Sequence, residues 1–452
     1  MTANPARPTG TAGSAAPAVP AGTAEGRRTV VDRRTAVLPH DYPGLLARLA
    51  LRTGGRTVVL LDPGVAGTEF AARIRAAVPA SRRDADVLVW SRPGDLPGVQ
   101  DMARQVGDAD LVVAVGGGTV IDQAKLATLL DAHPAVAGRL AVTQRSGLVV
   151  LPSDAVRPMP LVAVPTTLGT GTEASAVACL AHTWGKRLVL GSVLTPESSV
   201  VDPLATASLP SALVAEGVLE ALFRVVSPYI GDHSELPTED ALVEVIAQRL
   251  AVLGCQAGQA DRSGVAVPAE VRVDVARLSG LTHAGWLHRG RDPYSVKGWL
   301  IANELSTVLG IRKIPAVATL LPALWTAVTA GEPRLGSAPR LARIWSRLRA
   351  AGPAELAALP ADPGPGIAAL IDRWRIGREA GADPELIDET ALRVVRAWGS
   401  GLPMLGGLAA EDVRRLLAAA LPPPVPTPAA VPTAQPGPAS APTLTTASWT
   451  TA

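Results

Sequence analysis

LVVAVGGGTVIDQAKLATL, Leu111 to Leu129, reads as an apolar strand that runs through three glycines into a helix. Leu111 to Val115 is continuously apolar and rich in branched residues, the pattern of a parallel strand buried on both faces. Gly116, Gly117 and Gly118 carry no side chain to hold a ligand away from the backbone. A helix that starts there presents free amides and the positive end of its dipole. Thr119 and Asp122 have the three-residue spacing of a capping box at that helix start. Together these features make a phosphate-binding device, and a strand-to-helix turn without a ligand is the plainer reading of three glycines alone.

Upstream, RTVVLLD (Arg56 to Asp62) reads as a strand ending in an acid. A helix from about Ala66 to Ala77, a strand at Asp86 to Trp90 and a helix from Leu96 to Val106 follow it. An amphipathic segment, Tyr42 to Arg52, precedes it. Strands alternating with helices of this length predict a parallel, doubly wound sheet. Downstream, Ala132 to Pro158 is less regular, with apolar runs at Leu140 to Val142 and Leu148 to Leu151 and no assigned role. In PLVAVPTTLGTGTEASAVACL, Pro160 to Leu180, a buried strand leads into a loop of hydroxyl and amide donors suited to a second part of the same ligand. Apolar strands at Lys186 to Leu190 and Ser199 to Pro203 end the strand-rich half.

From Leu209 the apolar spacing turns helical, as in Leu213 to Val226, Val271 to Leu281, Trp299 to Leu309, Val317 to Ala330 and Leu386 to Trp398. The expected fold is therefore an α/β N-terminal dinucleotide-binding domain with a parallel sheet, 29–208, followed by an all-α C-terminal domain, 209–421. Tails rich in Ala, Pro, Gly and Thr, 1–28 and 422–452, are expected to be disordered. Ligands of open parallel sheets bind at the carboxyl ends of strands, so the cleft between the halves is the expected site.

A chain of 452 residues has room for two domains with large cores. Lys plus Arg number 42 against 40 for Asp plus Glu, without a basic run, so no nucleic-acid surface is expected. Cys179 and Cys255 stand in apolar surroundings without CxxC spacing, which fits a reducing compartment, the cytoplasm by default. Apolar runs such as Leu161 to Pro165 fall far short of the roughly 18 residues of a span, and the N-terminus has no basic region followed by an apolar core. Neither a membrane nor export is expected.

Taken together, GGGTVIDQAK (Gly116 to Lys125), PTTLGTGTEAS (Pro165 to Ser175) and the strand with Lys186 followed by Asp202-Pro203 resemble the iron-containing alcohol dehydrogenase family, over about Arg28 to Leu421. The resemblance implies a nicotinamide dinucleotide, NAD. Gly117, Gly118 and Thr119 would lie against its pyrophosphate and Thr166 and Thr167 along the cofactor, with Gly116, Asp122 and Lys186 among the other cofactor-binding positions. Asp62 matches the family's strand-end acid, where a carboxylate accepts from the adenosine ribose and repels a 2'-phosphate, so NAD is favoured over NADP. A turn role before Pro63 is the alternative for Asp62. Dehydroquinate synthases share the glycine turn but follow their PTT with a lysine- and asparagine-bearing sequence absent here. Glycerol dehydrogenases are closer, but the metal positions argue against a simple assignment to them.

The resemblance implies iron or zinc held by an Asp and three His, with the Asp and first His four residues apart on the first helix of the second domain. In EGVLEALFRVV those positions hold Glu220 and Arg224, and a guanidinium cannot ligate a cation. His283 in GLTHAGWLH matches a metal histidine. His288 stands five residues on, roughly 140 degrees around a helix, so the two would not share a face. The last ligand position falls in KIPAVATLLP, where Lys313 replaces the histidine after a longer intervening segment, Arg289 to Arg312. With two of four ligands replaced by cations, the divalent site is expected to be lost and no metal ligand is assigned.

Glu220, Arg224, His283 and Lys313 are then the catalytic candidates. Arg224 and Lys313 would polarise the alcohol oxygen in the metal's stead, and His283 or His288 would relay the proton. The plainer reading makes Glu220–Arg224 a helical ion pair worth a few tenths of a kcal/mol and Lys313 a solvated helix start.

The implied function is an NAD-dependent oxidoreductase interconverting an alcohol and a carbonyl. An NAD-binding pseudoenzyme or partner subunit without turnover is the alternative. The Ala-, Arg- and Pro-rich composition and the divergent site also resemble dehydrogenases of actinobacterial natural-product pathways, among them the daptide-type peptide-tailoring dehydrogenases. That resemblance implies a threonine hydroxyl at a peptide end. The expected partner is thus a small-molecule or peptide alcohol, and a homo-oligomer is compatible with the sequence.

Overall fold

The computed structural model describes residues 35–37, 55–77, 86–142, 146–183, 185–379 and 381–422. The segment Tyr42 to Arg52 and the tails read as disordered lie outside the described residues, Pro422 excepted. Nine strands are described: β1 (Thr35–Val37), β2 (Thr57–Leu61), β3 (Asp86–Val89), β4 (Leu111–Gly116), β5 (Leu148–Val150), β6 (Leu161–Pro165), β7 (Val177–His182), β8 (Gly185–Leu190) and β9 (Ser198–Val201). Six of them form an all-parallel sheet in the order β1-β9-β6-β4-β2-β3. The remaining three form a small mixed sheet, β5-β8-β7.

Strand periodicity explains why the central strands read as continuous apolar runs. Val58 and Leu60 of β2, Val112 and Ala114 of β4, and Leu161 and Ala163 of β6 pack on one face. The residues between them, Val59 and Leu61, Val113 and Val115, Val162 and Val164, pack on the other. Helices Leu96–Val106 and Gly118–Leu130 cover the first face and Glu69–Ala77 the second, so no side chain on these strands is left for water.

The chain leaves β2 for the edge strand β3, then crosses back to β4 on the other side of β2. Connections therefore diverge between β2 and β4. The carboxyl ends of those two strands carry Asp62 and Gly116, and a crevice opens where strand order reverses in this way.

Two elements depart from the sequence reading. The irregular stretch contains a helix, Pro134–Ala141, opened by its proline and docked by buried Val136 and Leu140 one turn apart, and then β5. The loop expected to follow β6 gives way at Val177 to a further strand, β7, whose sequence VACLAH shows no alternation of polar and apolar residues. In the structure Ala178 and Leu180 turn inward while the others stay half-buried, so the alternation exists in space but not in residue type.

The last strand ends at Val201 and the long helix Ser211–Gly231 opens a half built from helices around one core. Among the described residues Pro237–Arg262 is long and apolar enough to cross a membrane by length and composition, contrary to the reading that apolar runs are short. It packs beside Ser211–Gly231, with Val243, Ala247, Leu250 and Leu253 fully buried in the helical core.

Candidate functional site

The strand ends are laced together at the switch point. The Asp62 amide donates to Val115 O at 2.8 Å and the Thr166 amide to Gly116 O at 3.0 Å, which brings β2, β4 and β6 to one rim. Helix Gly118–Leu130 starts with Gly117 as its N-cap and no side-chain cap. Thr119 is exposed in the first turn.

The expected capping box does not form. Asp122 is buried, its Oδ1 accepts from the Thr172 hydroxyl, and its Oδ2 accepts from the Cys179 amide at 2.9 Å. The threonine loop folds over this helix and captures the carboxylate, which leaves the first-turn amides without an intrahelical acceptor, as a phosphate site needs.

Lys125, fully buried three residues on, completes the bracket. Its Nζ donates to Thr172 Oγ1 at 2.7 Å, Val177 O at 2.9 Å and Ser175 O at 3.1 Å. Burial draws its pKa down, and Asp122, 3.5 Å away, opposes the shift. Sequence reasoning passed over this residue, although an acid and a lysine three apart in an otherwise apolar helix were the available signal.

The glycines do more than clear space for a ligand. A Cβ on Gly117 would stand 3.2 Å from Thr167 Cγ2, one on Gly118 3.2 Å from Thr170 Cγ2, and one on Gly116 2.8 Å from Val120 Cβ. They let the threonine loop and the first helical turn close on the strand end. Asp62 has its turn role as well, since its Oδ1 accepts from the Gly64 amide at 2.8 Å. Its other oxygen makes no such bond in the turn.

Across the cleft, Glu220 and Arg224 lie one turn apart on helix Ser211–Gly231 and pair at 3.0 Å. Arg224 also donates to Gly169 O at 2.6 Å and to Thr282 Oγ1 at 3.2 Å. Its fork therefore clamps the threonine loop to the end of helix Ala269–Leu281, and its guanidinium lies 5.9 Å over the Trp299 ring. This is the plainer ion pair realised, with a positioning task added.

His283 and His288 do not share a helix, because Ala269–Leu281 ends at Thr282 and His288 belongs to a separate short turn, Gly285–His288. The helical-face argument against them therefore falls, and both line one cavity. His283 Nε2 bonds Thr170 O at 2.9 Å and His288 Nε2 bonds Thr282 O at 2.9 Å, each ring nitrogen donating to a carbonyl. Burial pulls His283 well below the ordinary histidine range and Arg224 adds to it. Burial lowers His288 too, so both rings are neutral near pH 7.

Lys313 opens helix Lys313–Thr329 and is half-buried rather than solvated. Its Nζ donates to Cys179 Sγ at 3.7 Å, its one hydrogen-bond partner among the described residues. Cys179, read from sequence as apolar packing, thus lies beside a cation. Lys186 on β8 does not line the cavity. Burial and the neighbouring Lys313 lower its pKa, which sets it at the Lys313–Cys179 corner rather than at the glycine turn.

One cavity of about 490 Å³ joins these groups, with Gly118 and Thr170 at one end and Glu220, Arg224, His283 and Lys313 along it. Leu188, Val296, Trp299 and Leu300 give it an apolar wall. Asp62, Gly116, Gly117, Thr166 and Thr167 lie outside it, along the strand rim. The four family metal positions do not fit a divalent cation: Glu220 is paired to Arg224, His283 bonds a carbonyl, and the other two are cations. No group of three His, Cys, Asp or Glu side chains suited to a metal occurs among the described residues.

Residues 43–203 match the family described as iron-containing alcohol dehydrogenase. Phosphonoacetaldehyde reductase of Streptomyces viridochromogenes is 36% identical over 190 residues, 40% of this chain and 47% of that protein. Long-chain-alcohol dehydrogenase 1 of Geobacillus thermodenitrificans is 32% identical over 185 residues, 41% of this chain and 44% of that protein. The chain thus spans about half the length of the curated relatives it matches.

By fold the likeness is longer. NADH-dependent butanol dehydrogenase A of Thermotoga maritima aligns over 86% of this chain and 97% of its own, with a TM-score of 0.71 at 18% identity. Sulfoacetaldehyde reductase of Bifidobacterium kashiwanohense, in complex with NAD+, aligns over 88% and 99%, with a TM-score of 0.64 at 16% identity. The sequence match to the iron-containing alcohol dehydrogenase family thus lies in the sheet half, and the architecture shared with these structures extends over the helical half as well.

Proposed function

We propose that the protein is an NAD-dependent oxidoreductase that interconverts an alcohol and a carbonyl, with Lys313 standing where the family places a metal-binding histidine. The observation that carries this reading is an ammonium group, half-buried in a largely apolar cavity, whose one partner among the described residues is a thiol. Asp62, the first-turn amides after Gly117, and the Thr166–Thr167 rim are the residues to hold the dinucleotide. Bound NAD supplies the hydride acceptor for alcohol oxidation and, reduced, the donor for the reverse. Lys313 donates to the substrate oxygen and stabilises the negative charge that grows there, a role worth most where water is excluded.

Arg224 adds positive potential but spends its donors on Glu220, Gly169 and Thr282, so it positions the loop more than it binds substrate. Neutral His283, with Nε2 committed to Thr170, has Nδ1 left to accept a proton. Trp299, Leu300 and Val296 keep water from the reacting carbon.

A cytoplasmic natural-product enzyme acting on a small-molecule or peptide alcohol is the setting that the composition supports. An NAD-binding partner without turnover is the second reading, favoured by the Glu220–Arg224 pair that closes two former ligand positions.

NADH consumption with a panel of aldehydes and ketones tests the activity. Lys313→Ala is expected to lower kcat about 100- to 1,000-fold, as loss of an oxyanion donor does, with NAD affinity by calorimetry unchanged. Chelators should leave the wild type active. Full activity in Lys313→Ala, or activity lost with a stoichiometric metal on chelation, would overturn this reading.

A further inference from the structure

The cavity wall holds a nucleophile that the proposed reaction does not use. Cys179 on β7 has its amide fixed by Asp122 and its half-buried thiol 3.7 Å from the Lys313 ammonium. Partly exposed thiols beside ammonium groups are the reactive ones. The chain's other cysteine makes the contrast. Cys255 is 3% exposed, and burial pushes its thiol up to about 12.

A second observation on the same wall calls for a polar ligand. Asn303 is 3% exposed and lines the cavity. Its Nδ2 donates to Lys186 O at 3.2 Å, while its Oδ1 is buried with no hydrogen-bond partner among the described residues. A buried acceptor left without a donor is costly, and a ligand hydroxyl supplies one.

We propose that Cys179, with Lys313 as its proton partner, captures aldehydes in the cleft as a reversible thiohemiacetal. The sulfur bonds to the carbonyl carbon and the carbon–oxygen π pair moves to the oxygen. That oxygen takes a proton from the Lys313 ammonium, and the thiol proton replaces it on Lys313. No oxidant or reductant is consumed, and the adduct brings a hydroxyl into the cleft. The inference rests on the proposed oxidoreductase reading only for its class of electrophile, and its consequence is that excess aldehyde inhibits turnover.

The labelling and adduct measurements use the full chain without cofactor. Iodoacetamide labelling at pH 7, followed by peptide mass spectrometry, should modify Cys179 at least about tenfold faster than Cys255, and Lys313→Met should slow Cys179 by about tenfold. Butyraldehyde should protect Cys179. Butyraldehyde labelled with carbon-13 at the carbonyl should give an adduct resonance in the wild type that is absent from Cys179→Ala. Equal labelling of the two cysteines, or no adduct resonance in the wild type, overturns the proposal. NADH oxidation by butyraldehyde without an adduct sinks the capture alone, and an adduct without NADH oxidation by butyraldehyde or any other carbonyl of the panel supports the capture and sinks the oxidoreductase reading instead.

Discussion

Asp62 does two things with one carboxylate. Oδ1 holds the turn through Gly64, and the charge sits at the end of β2 beside Gly116, at the switch point where a ribose is expected. Asp62→Asn separates the two roles, because the amide oxygen keeps the turn while the charge goes. Repulsion of a 2'-phosphate would then fall, and the ratio of kcat/KM for NADH over NADPH is expected to drop about tenfold or more, the scale of 1.4 kcal/mol or above. An unchanged ratio would leave Asp62 as a turn residue only. Residues of this kind were legible because residue type and strand position both point to them. Asp122 and Cys179 were not: spacing along one helix suggested a cap for the first, but the atoms that claim it come from residues 172 and 179, some fifty positions away. An apolar neighbourhood in sequence likewise hid the lysine that β7 meets across the cleft.

At the scale of elements, the site depends on how closely helix Ser211–Gly231 meets the threonine loop. Gly217 packs against the loop backbone, and a Cβ there would stand 2.7 Å from Leu168 O. On the loop side, Gly169 holds φ at +96°, in the left-handed region that favours glycine. Helix propensity alone says that Gly217→Ala should stabilise by about 1 kcal/mol. The clash is with backbone on both sides, so overpacking wins, and we expect a net loss of about 1–3 kcal/mol in denaturant unfolding. Because Glu220 and Arg224 follow on the same helix, turnover should fall with it. A stabilised, fully active variant would mean that the helix and loop separate freely. Elements themselves were largely readable, since both-face burial makes β2, β4 and β6 apolar and one-face burial makes the helices periodic. What sequence left out was this close approach, which Gly169 and Gly217 make together from distant parts of the chain.

Across the whole molecule, the far wall of the cavity is braced by a buried cluster whose members no local pattern links. Asp240 on helix Pro237–Arg262 accepts from Arg291 at 2.7 Å and from Arg340 at 2.7 and 2.9 Å. Arg340 donates to Tyr229 O at 2.7 Å and lies 4.2 Å over the Tyr229 ring. Three helices and the segment entering the cavity wall at Arg291 are thereby fixed to one carboxylate. Burial alone would raise the pKa of Asp240, but the two guanidinium bonds prevail and hold it at about 2, below its ordinary 3.8. The unfolded chain therefore binds the proton first as pH falls. Stability from this group is complete above about pH 4 and is lost progressively toward about pH 2. Asp240→Asn leaves buried Arg291 without its counter-charge and Arg340 with only the half-exposed Glu235, 3.2 Å away, and is expected to cost about 3 kcal/mol at pH 7. Urea titrations at a series of pH values should show the gap between wild type and variant shrinking as pH falls from about 4 toward about 2, because the wild-type carboxylate is then protonated as well. A gap that stays constant over that interval would mean that the charge of Asp240 is not what joins these helices, and that shape and hydrogen bonding suffice to hold the cavity wall.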